Sequence, residues 1–208
     1  AGGSIWQIDP EGNLIDLGEP GSIDGFIAPG HITLDSAGNL YVTDRGTREI
    51  WRFNAEDGDT DRIWRVPEDI PRADDIIPTG ITYDPTTDTL IVNDSEVNVI
   101  FRISLDGETT EEIFRYAGPS DDAPSFDGVA VDEEGRIYLA ALAVRQVMLL
   151  LDGELFIVAE NFRQVTDVDV QGNTIYAANL DGRGLVLPAV NPQLPFSIDT
   201  ITLATATP

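Results

Sequence analysis

One unit recurs four times along this chain: two short runs of alternating apolar and small or polar residues, joined at Asp, Gly or Asn. The first copy is Pro29-Gly30-His31-Ile32-Thr33-Leu34-Asp35, then Gly38-Asn39-Leu40-Tyr41-Val42-Thr43-Asp44. The second is Pro78-Thr79-Gly80-Ile81-Thr82-Tyr83-Asp84, then Thr89-Leu90-Ile91-Val92-Asn93-Asp94. The third is Phe126-Asp127-Gly128-Val129-Ala130-Val131-Asp132, then Gly135-Arg136-Ile137-Tyr138-Leu139-Ala140-Ala141. The fourth is Val165-Thr166-Asp167-Val168-Asp169-Val170, then Asn173-Thr174-Ile175-Tyr176-Ala177-Ala178-Asn179. A period of two, closed by turn residues, predicts a hairpin of half-buried strands in each copy. A third run follows at 49–53, 99–103, 146–150 and 184–187, and a fourth at 62–66, 112–116 and 155–158, with 197–203 the candidate in the last copy.

Four-stranded units of about 40–50 residues cannot bury their faces alone, and they stack radially about an axis. The expected fold is all-β: a β-propeller of four-stranded antiparallel blades, at about 29–71, 77–118, 125–161 and 163–203. Residues 1–18 read as the two outer strands of an incomplete blade, and 204–208 as a tail. About four and a half blades point to part of a six-bladed ring, and to a fragment or to a chain that another chain completes.

Charge narrows the partners. Asp and Glu number 37 against 12 basic residues, all of them Arg, for a net charge of −25. Phosphate backbones and anionic lipid repel such a chain, which argues against a nucleic-acid partner. No apolar run approaches the roughly 20 residues of a bilayer span, so membrane insertion is not expected. The absence of Lys removes Schiff-base chemistry, and the absence of Cys removes disulfides, thiolate metal sites and Cys nucleophiles. A chain without Cys fits an extracellular or cell-surface location and is compatible with the cytoplasm.

In a propeller the starts of the innermost strands meet at the mouth of the channel, and each hairpin sets the end of its second strand beside them. One rim therefore collects Gly30, His31, Thr79, Asp127, Thr166 and Asp167 with Asp44, Asp94 and Asn179, a candidate ligand-binding surface for a small molecule. Crowded carboxylates raise one another's pKa or recruit a cation, and all-oxygen donors favour Ca²⁺ or Mg²⁺. Asp127 and Asp167 are the candidate ligands. His31, the only histidine, is a candidate general base or metal ligand, and Asp127 is the other catalytic candidate; the alternative for His31 is a structural or exposed side chain. Asp57, Asp59 and Asp61 alternate in a tight turn as calcium-loop ligands do, but lack the distal bidentate Glu. The alternative there is a solvated hairpin turn. Asp44 and Asp94 are expected to accept hydrogen bonds from the turns that follow them. Trp6, Trp51 and Trp64 are expected to pack between blades.

Tyr41-Val42-Thr43-Asp44, followed by Arg48-Glu49-Ile50-Trp51-Arg52-Phe53, resembles an NHL repeat. The run from Phe126 to Tyr138 resembles a blade of the senescence-marker-protein/gluconolactonase family. That resemblance implies a divalent metal in the channel, held by a Glu, two Asn and an Asp. Asp127 occupies the Asp position. Thr79 stands where a Pro-Asn-Gly turn carries one Asn, the other Asn falls near Gly30-His31, and the Glu would precede this sequence. Two functions follow as expectations. One is an extracellular binding or assembly module that engages a protein partner or itself. The other is a metal-dependent hydrolase of the lactonase kind, in which Ca²⁺ or another divalent cation polarises the lactone carbonyl and Asp127 serves as ligand and base.

Overall fold

The computed structural model describes residues 5–18, 28–54, 56, 59–180 and 196–203. Strands β1 (Ile5–Ile8) and β2 (Leu14–Gly18) pair as a two-stranded first blade. The second blade is β3 (Pro29–Leu34), β4 (Leu40–Asp44), β5 (Glu49–Phe53) and β6 (Thr60–Arg65), hydrogen-bonded in chain order. The third is β7 (Pro78–Asp84), β8 (Thr89–Asp94), β9 (Val99–Ser104) and β10 (Thr110–Arg115). The fourth is β11 (Phe126–Val131), β12 (Ile137–Ala141), β13 (Gln146–Leu151) and β14 (Glu154–Glu160). The fifth holds β15 (Val165–Gln171), β16 (Thr174–Asn179) and β17 (Ser197–Thr202). All pairings are antiparallel, and β3, β7, β11 and β15 lie against one another in succession, which is the radial arrangement of a propeller.

One strand assignment needs correction. β17 pairs directly with β16, from Asn179 opposite Ser197 to Thr174 opposite Thr202, and so takes the third place in its sheet. The sequence pattern assigned that segment to the fourth place, because it cannot tell which of two β-prone runs reaches the ladder first. The run at 184–187 lies outside the described residues.

Alternation explains why the middle strands are apolar on both faces. Tyr41 of β4 packs with Leu90 and Val92 of β8, whereas its neighbour Val42 turns the other way to Ile5. Ile91 of β8 joins Val129, Ile137 and Leu139 of the fourth blade. Tyr138 and Ala140 of β12 face Val168 and Ile175 of the fifth. Every core thus lies between two sheets, and each fully buried aliphatic or aromatic side chain contributes about 1.5–3 kcal/mol. Trp51 and Trp64 fill such cores as expected, but Trp6 does not: it stands on the outside of the first blade, largely exposed. At the ends of the arc the same alternation leaves apolar residues uncovered. Ile32 is 54% exposed, whereas Ile81 and Val129 at the equivalent positions are buried.

The inner hairpins share a device. Asp35 accepts the N–H groups of Ala37 and Asn39 through Oδ1, and the Tyr41 hydroxyl through Oδ2. Asp132 does the same for Glu134, Arg136 and Tyr138. The turn is closed by the carboxylate and pinned to the next strand by a buried phenol. At the other end of the inner hairpin, Asp44 and Asp94 accept backbone N–H groups from their following turns and from Ala28 and Ile77.

Each innermost strand carries a bulge near its start. The register slips between Pro29 and Ile32, Pro78 and Ile81, Phe126 and Val129, and Val165 and Asp167. An extra residue bends the strand and re-aims the side chains beside it.

Candidate functional site at the channel mouth

The bulges place the site. Gly30-His31, Thr79-Gly80, Asp127-Gly128 and Thr166-Asp167 occupy the equivalent stretch of β3, β7, β11 and β15. The His31 side chain reaches past the third blade to the fourth and fifth. Its Nε2 lies 3.7 Å from Asp127 Oδ1, and its Nδ1 lies 3.7 Å from Asp167 Oδ1. These are ion-pair separations, longer than hydrogen bonds. His31 is 23% exposed, Asp127 20% and Asp167 54%, so the group is sheltered but open to solvent on the Asp167 side.

Gly128 is required for this approach. A Cβ there would lie 2.1 Å from Asp167 Oδ1 and 2.6 Å from its Cα. The fourth and fifth blades meet this closely only without a side chain on β11 at that point.

The electrostatics follow from the packing. Burial is the largest influence on His31 and works against its charged form. The hydrogen-bonding capacity of Asp127 and the negative charges of Asp167 and Asp127 outweigh it, so His31 holds its proton above the ordinary 6.5. Arg45 opposes them. For Asp167, loss of water is the main influence and raises its carboxyl above the usual range. His31 and the Val168 N–H pull it back, while Asp127 and Asp169 push it up. Both shifts run in the sense that acid–base work needs: the imidazole is biased toward its protonated form beside a carboxylate of raised basicity.

A cleft of about 480 Å³ opens beside Asp167, lined also by Val168, Asp169, Gln171, Tyr176, Ala178 and Ile198. It is a shallow groove on the uncovered face of the fifth sheet, with Tyr176 and Ile198 exposed along it. A second cleft, about 750 Å³, lies over Arg48, Arg65, Arg72 and Ile70 and contains none of these residues.

The other rim candidates are placed differently. Thr79, Asp94 and Asn179 are buried. Thr79 Oγ1 donates to the Ile77 carbonyl and meets Ser95 Oγ, and Asn179 Nδ2 donates to Asp199 at 2.9 Å. Gly30 is exposed beside Arg45, and Thr166 sits half-buried in the bulge before Asp167. Of the turn at 57–61, Asp57 lies outside the described residues, and Asp61 pairs with Arg52 at 2.8 Å. Sequence reasoning missed Arg45, Thr43 and Asn93. Thr43 and Asn93 interrupt otherwise apolar second strands at equivalent positions, and that interruption was the available signal.

The donors do not suit a metal centre. Each nitrogen of His31 faces a different carboxylate, so the three groups address one another instead of a common point at metal–ligand distance. Thr79, at the position of an expected ligand, is turned to its own backbone and to Ser95. Among the described residues, no group of three or more His, Cys, Asp and Glu is arranged to hold a metal. No helix among the described residues is long and apolar enough to cross a membrane.

No curated protein sequence matches the chain. Residues 71–160 match the family model described as SMP-30/Gluconolactonase/LRE-like region. That stretch is the third and fourth blades; it includes Asp127 and leaves out His31 and Asp167. Among solved structures, virginiamycin B lyase from Staphylococcus aureus is similar with a TM-score of 0.66 at 21% identity, over 85% of this chain and 56% of the lyase. A gluconolactonase from Xanthomonas campestris is similar with a TM-score of 0.63 at 16% identity, over 84% of this chain and 61% of that one. A chain of a nidogen/laminin complex gives 0.66 at 15% identity, over 82% and 61%. The chain spans little more than half the length of these structures, and at such identities the likeness is one of fold. This chain is therefore a β-propeller, and its residues 71–160 are similar to the SMP-30/Gluconolactonase/LRE-like region.

Proposed function

We propose that the channel mouth is an acid–base site that opens carboxylic esters, with lactones as the substrate class. The observation that carries this reading is the His31 imidazole held between two carboxylates, 3.7 Å from each. The cleft beside Asp167 takes the ring. Asp167, open to solvent and raised in basicity, accepts a proton from water as its oxygen adds to the ester carbonyl. The His31 imidazolium gives its proton to the ring oxygen as the carbon–oxygen bond breaks, leaving a hydroxy acid. Asp127 holds the imidazolium toward the mouth. The proton on Asp167 then returns through solvent to His31, which restores both groups, and ionisation of the product carboxylic acid releases the net proton to solvent.

Two likenesses support the reading. The matched region and one solved neighbour are named for gluconolactonase. A virginiamycin B lyase with one histidine replaced by alanine is described as catalytically inactive. An extracellular setting suits a cysteine-free chain of net charge −25 and is tested by fractionating cells that express the native gene.

The decisive experiment is a pH-stat assay of five- and six-membered lactones with the wild-type chain and the variant His31→Gln. Loss of proton-transfer catalysis lowers turnover by about 10²–10⁴-fold. Absence of turnover on every lactone, or equal rates for the two proteins, would overturn the proposal.

A second reading, a binding or assembly module, is favoured by the uncovered apolar residues at the ends of the arc, Ile32 and Leu34 on β3 and Tyr176 and Ile198 on β16 and β17. Contiguous apolar surface of this kind marks protein contacts. Native mass spectrometry tests it: a discrete oligomer supports assembly, and a monomer at every concentration argues against self-association.

A further inference from the structure

Two side chains outside the acid–base set touch the bulges that carry it. Thr43 of β4 and Asn93 of β8 occupy equivalent positions, one residue before the Asp that ends each strand, and both are fully buried. Thr43 Oγ1 accepts the His31 N–H at 3.0 Å and donates to the Thr79 carbonyl of the next blade at 2.8 Å. Asn93 Nδ2 donates to the Phe126 and Asp127 carbonyls of the next blade, each at 2.9 Å. A bulge interrupts the ladder and leaves backbone groups without strand partners. Here side chains from the second strands serve those groups, at His31 and at Asp127.

Asn93 is an expensive choice for a purely structural tie. Its Oδ1 is buried without a hydrogen-bond partner and faces Gly80, where a Cβ would come within 2.3 Å of it. An unpaired buried carbonyl destabilises the fold. What the amide supplies is a forked donor that reaches two successive carbonyls. The equivalent positions in β12 and β16 are Ala140 and Ala178, which have no side-chain hydrogen-bonding group. A tie needed by every blade would recur in each. It is present where the second blade meets the third and the third meets the fourth, at the His31 N–H and the Asp127 carbonyl, and absent where the fourth meets the fifth, beside Asp167.

We propose that Thr43 and Asn93 are positioning residues of the channel-mouth site, fixing the backbone from which His31 and Asp127 extend. Its catalytic consequence rests on the acid–base reading above; its geometric content does not.

The test uses His31 as its own reporter, since it is the only histidine and its imidazole resonances need no assignment. Asn93→Ala and Thr43→Val are compared with the conservative Asn93→Thr and Thr43→Ser, each checked for folding by circular dichroism. Asn93→Ala and Thr43→Val are expected to move the His31 titration midpoint down toward the ordinary value, as Asp127 and the imidazole lose register. Thr43→Ser and Asn93→Thr, which keep a donor, are expected to hold the midpoint closer to wild type. In lactone turnover the first pair lowers kcat by about 10–100-fold, with KM changed little, as misplacement of reacting groups does. An unchanged midpoint in folded Asn93→Ala and Thr43→Val overturns the proposal. If the wild-type chain turns over no lactone while the midpoint moves, the ester-opening function fails and the positioning role stands. Should Asn93→Ala not fold, Thr43→Val, which is nearly isosteric, decides the question.

Discussion

His31 Nδ1 lies 3.7 Å from Asp167 Oδ1, although the two residues start innermost strands on the second and fifth blades. The contact crosses the mouth of the channel, and it couples the protonation of one side chain to the spacing of three sheets. Asp127 completes the crossing from the fourth blade.

The His31 proton is therefore worth measuring directly. Its titration midpoint is expected above 6.5, lower in Asp167→Asn and higher in Arg45→Ala, because Asp167 attracts and Arg45 repels the imidazolium. A group whose folded pKa is raised stabilises the fold fully below its unfolded value. That contribution is lost as pH rises through the folded value. Melting temperature should thus decline across that window in the wild type and be flatter in His31→Gln. Proton NMR and thermal melts read both effects.

Gly128→Ala tests the close approach of the fourth and fifth blades. The new methyl has no room against Asp167, so β11 or β15 must shift. Overpacking of this kind costs about 1–3 kcal/mol, read by urea unfolding. The variant is also expected to move the His31 midpoint, because Asp167 is displaced. A variant as stable as wild type, with the same midpoint, would show that the two strands do not meet as described.

Tyr138 governs behaviour in alkali. Burial above all, then the charge of Asp132, raise its hydroxyl to about 12, with Arg136 opposing. Because the folded value is raised, the stabilisation is intact below about 10 and is lost as pH climbs toward 12. Tyr138→Phe should remove that part of the alkaline dependence at a cost of about 1 kcal/mol at neutral pH for the lost hydrogen bond to Asp132. Denaturant titrations at pH 7 and above 10 separate the two effects.

Chelation distinguishes the two hydrolytic mechanisms. The nitrogens of His31 are committed to separate carboxylates, so lactone turnover should be unaffected by EDTA and by added Ca²⁺ or Mg²⁺. Activity abolished by EDTA and restored by one divalent cation would refute the imidazolium mechanism.

The blade pattern was legible because period-two alternation and Asp-x-x-Gly turns are local signals. Asp44 and Asp94 accept hydrogen bonds from the turns that follow them, as their positions indicated, whereas their bonds to Ala28 and Ile77 cross the hairpin and carried no local signal. The meeting of His31 with Asp127 and Asp167 was legible only as a shared rim. Which side chains touch depends on bulges and on the radius of the arc, and no local pattern encodes either. Thr43 and Asn93 were hidden for a related reason: a single polar residue in an apolar strand looks like a flaw until its partner in the next blade is known. Trp6 went the other way, since an aromatic on an outer strand packs only if a neighbouring sheet covers it.

The pairing of every core across two sheets has a further meaning for how the molecule comes apart. A sheet here owns half of each hydrophobic seam, and its neighbour owns the rest. Separation at one seam strips support from both sheets that share it, so amide protection should be greatest in β8 and β12, which have a covering sheet on each face, as a book held upright between two others leans least.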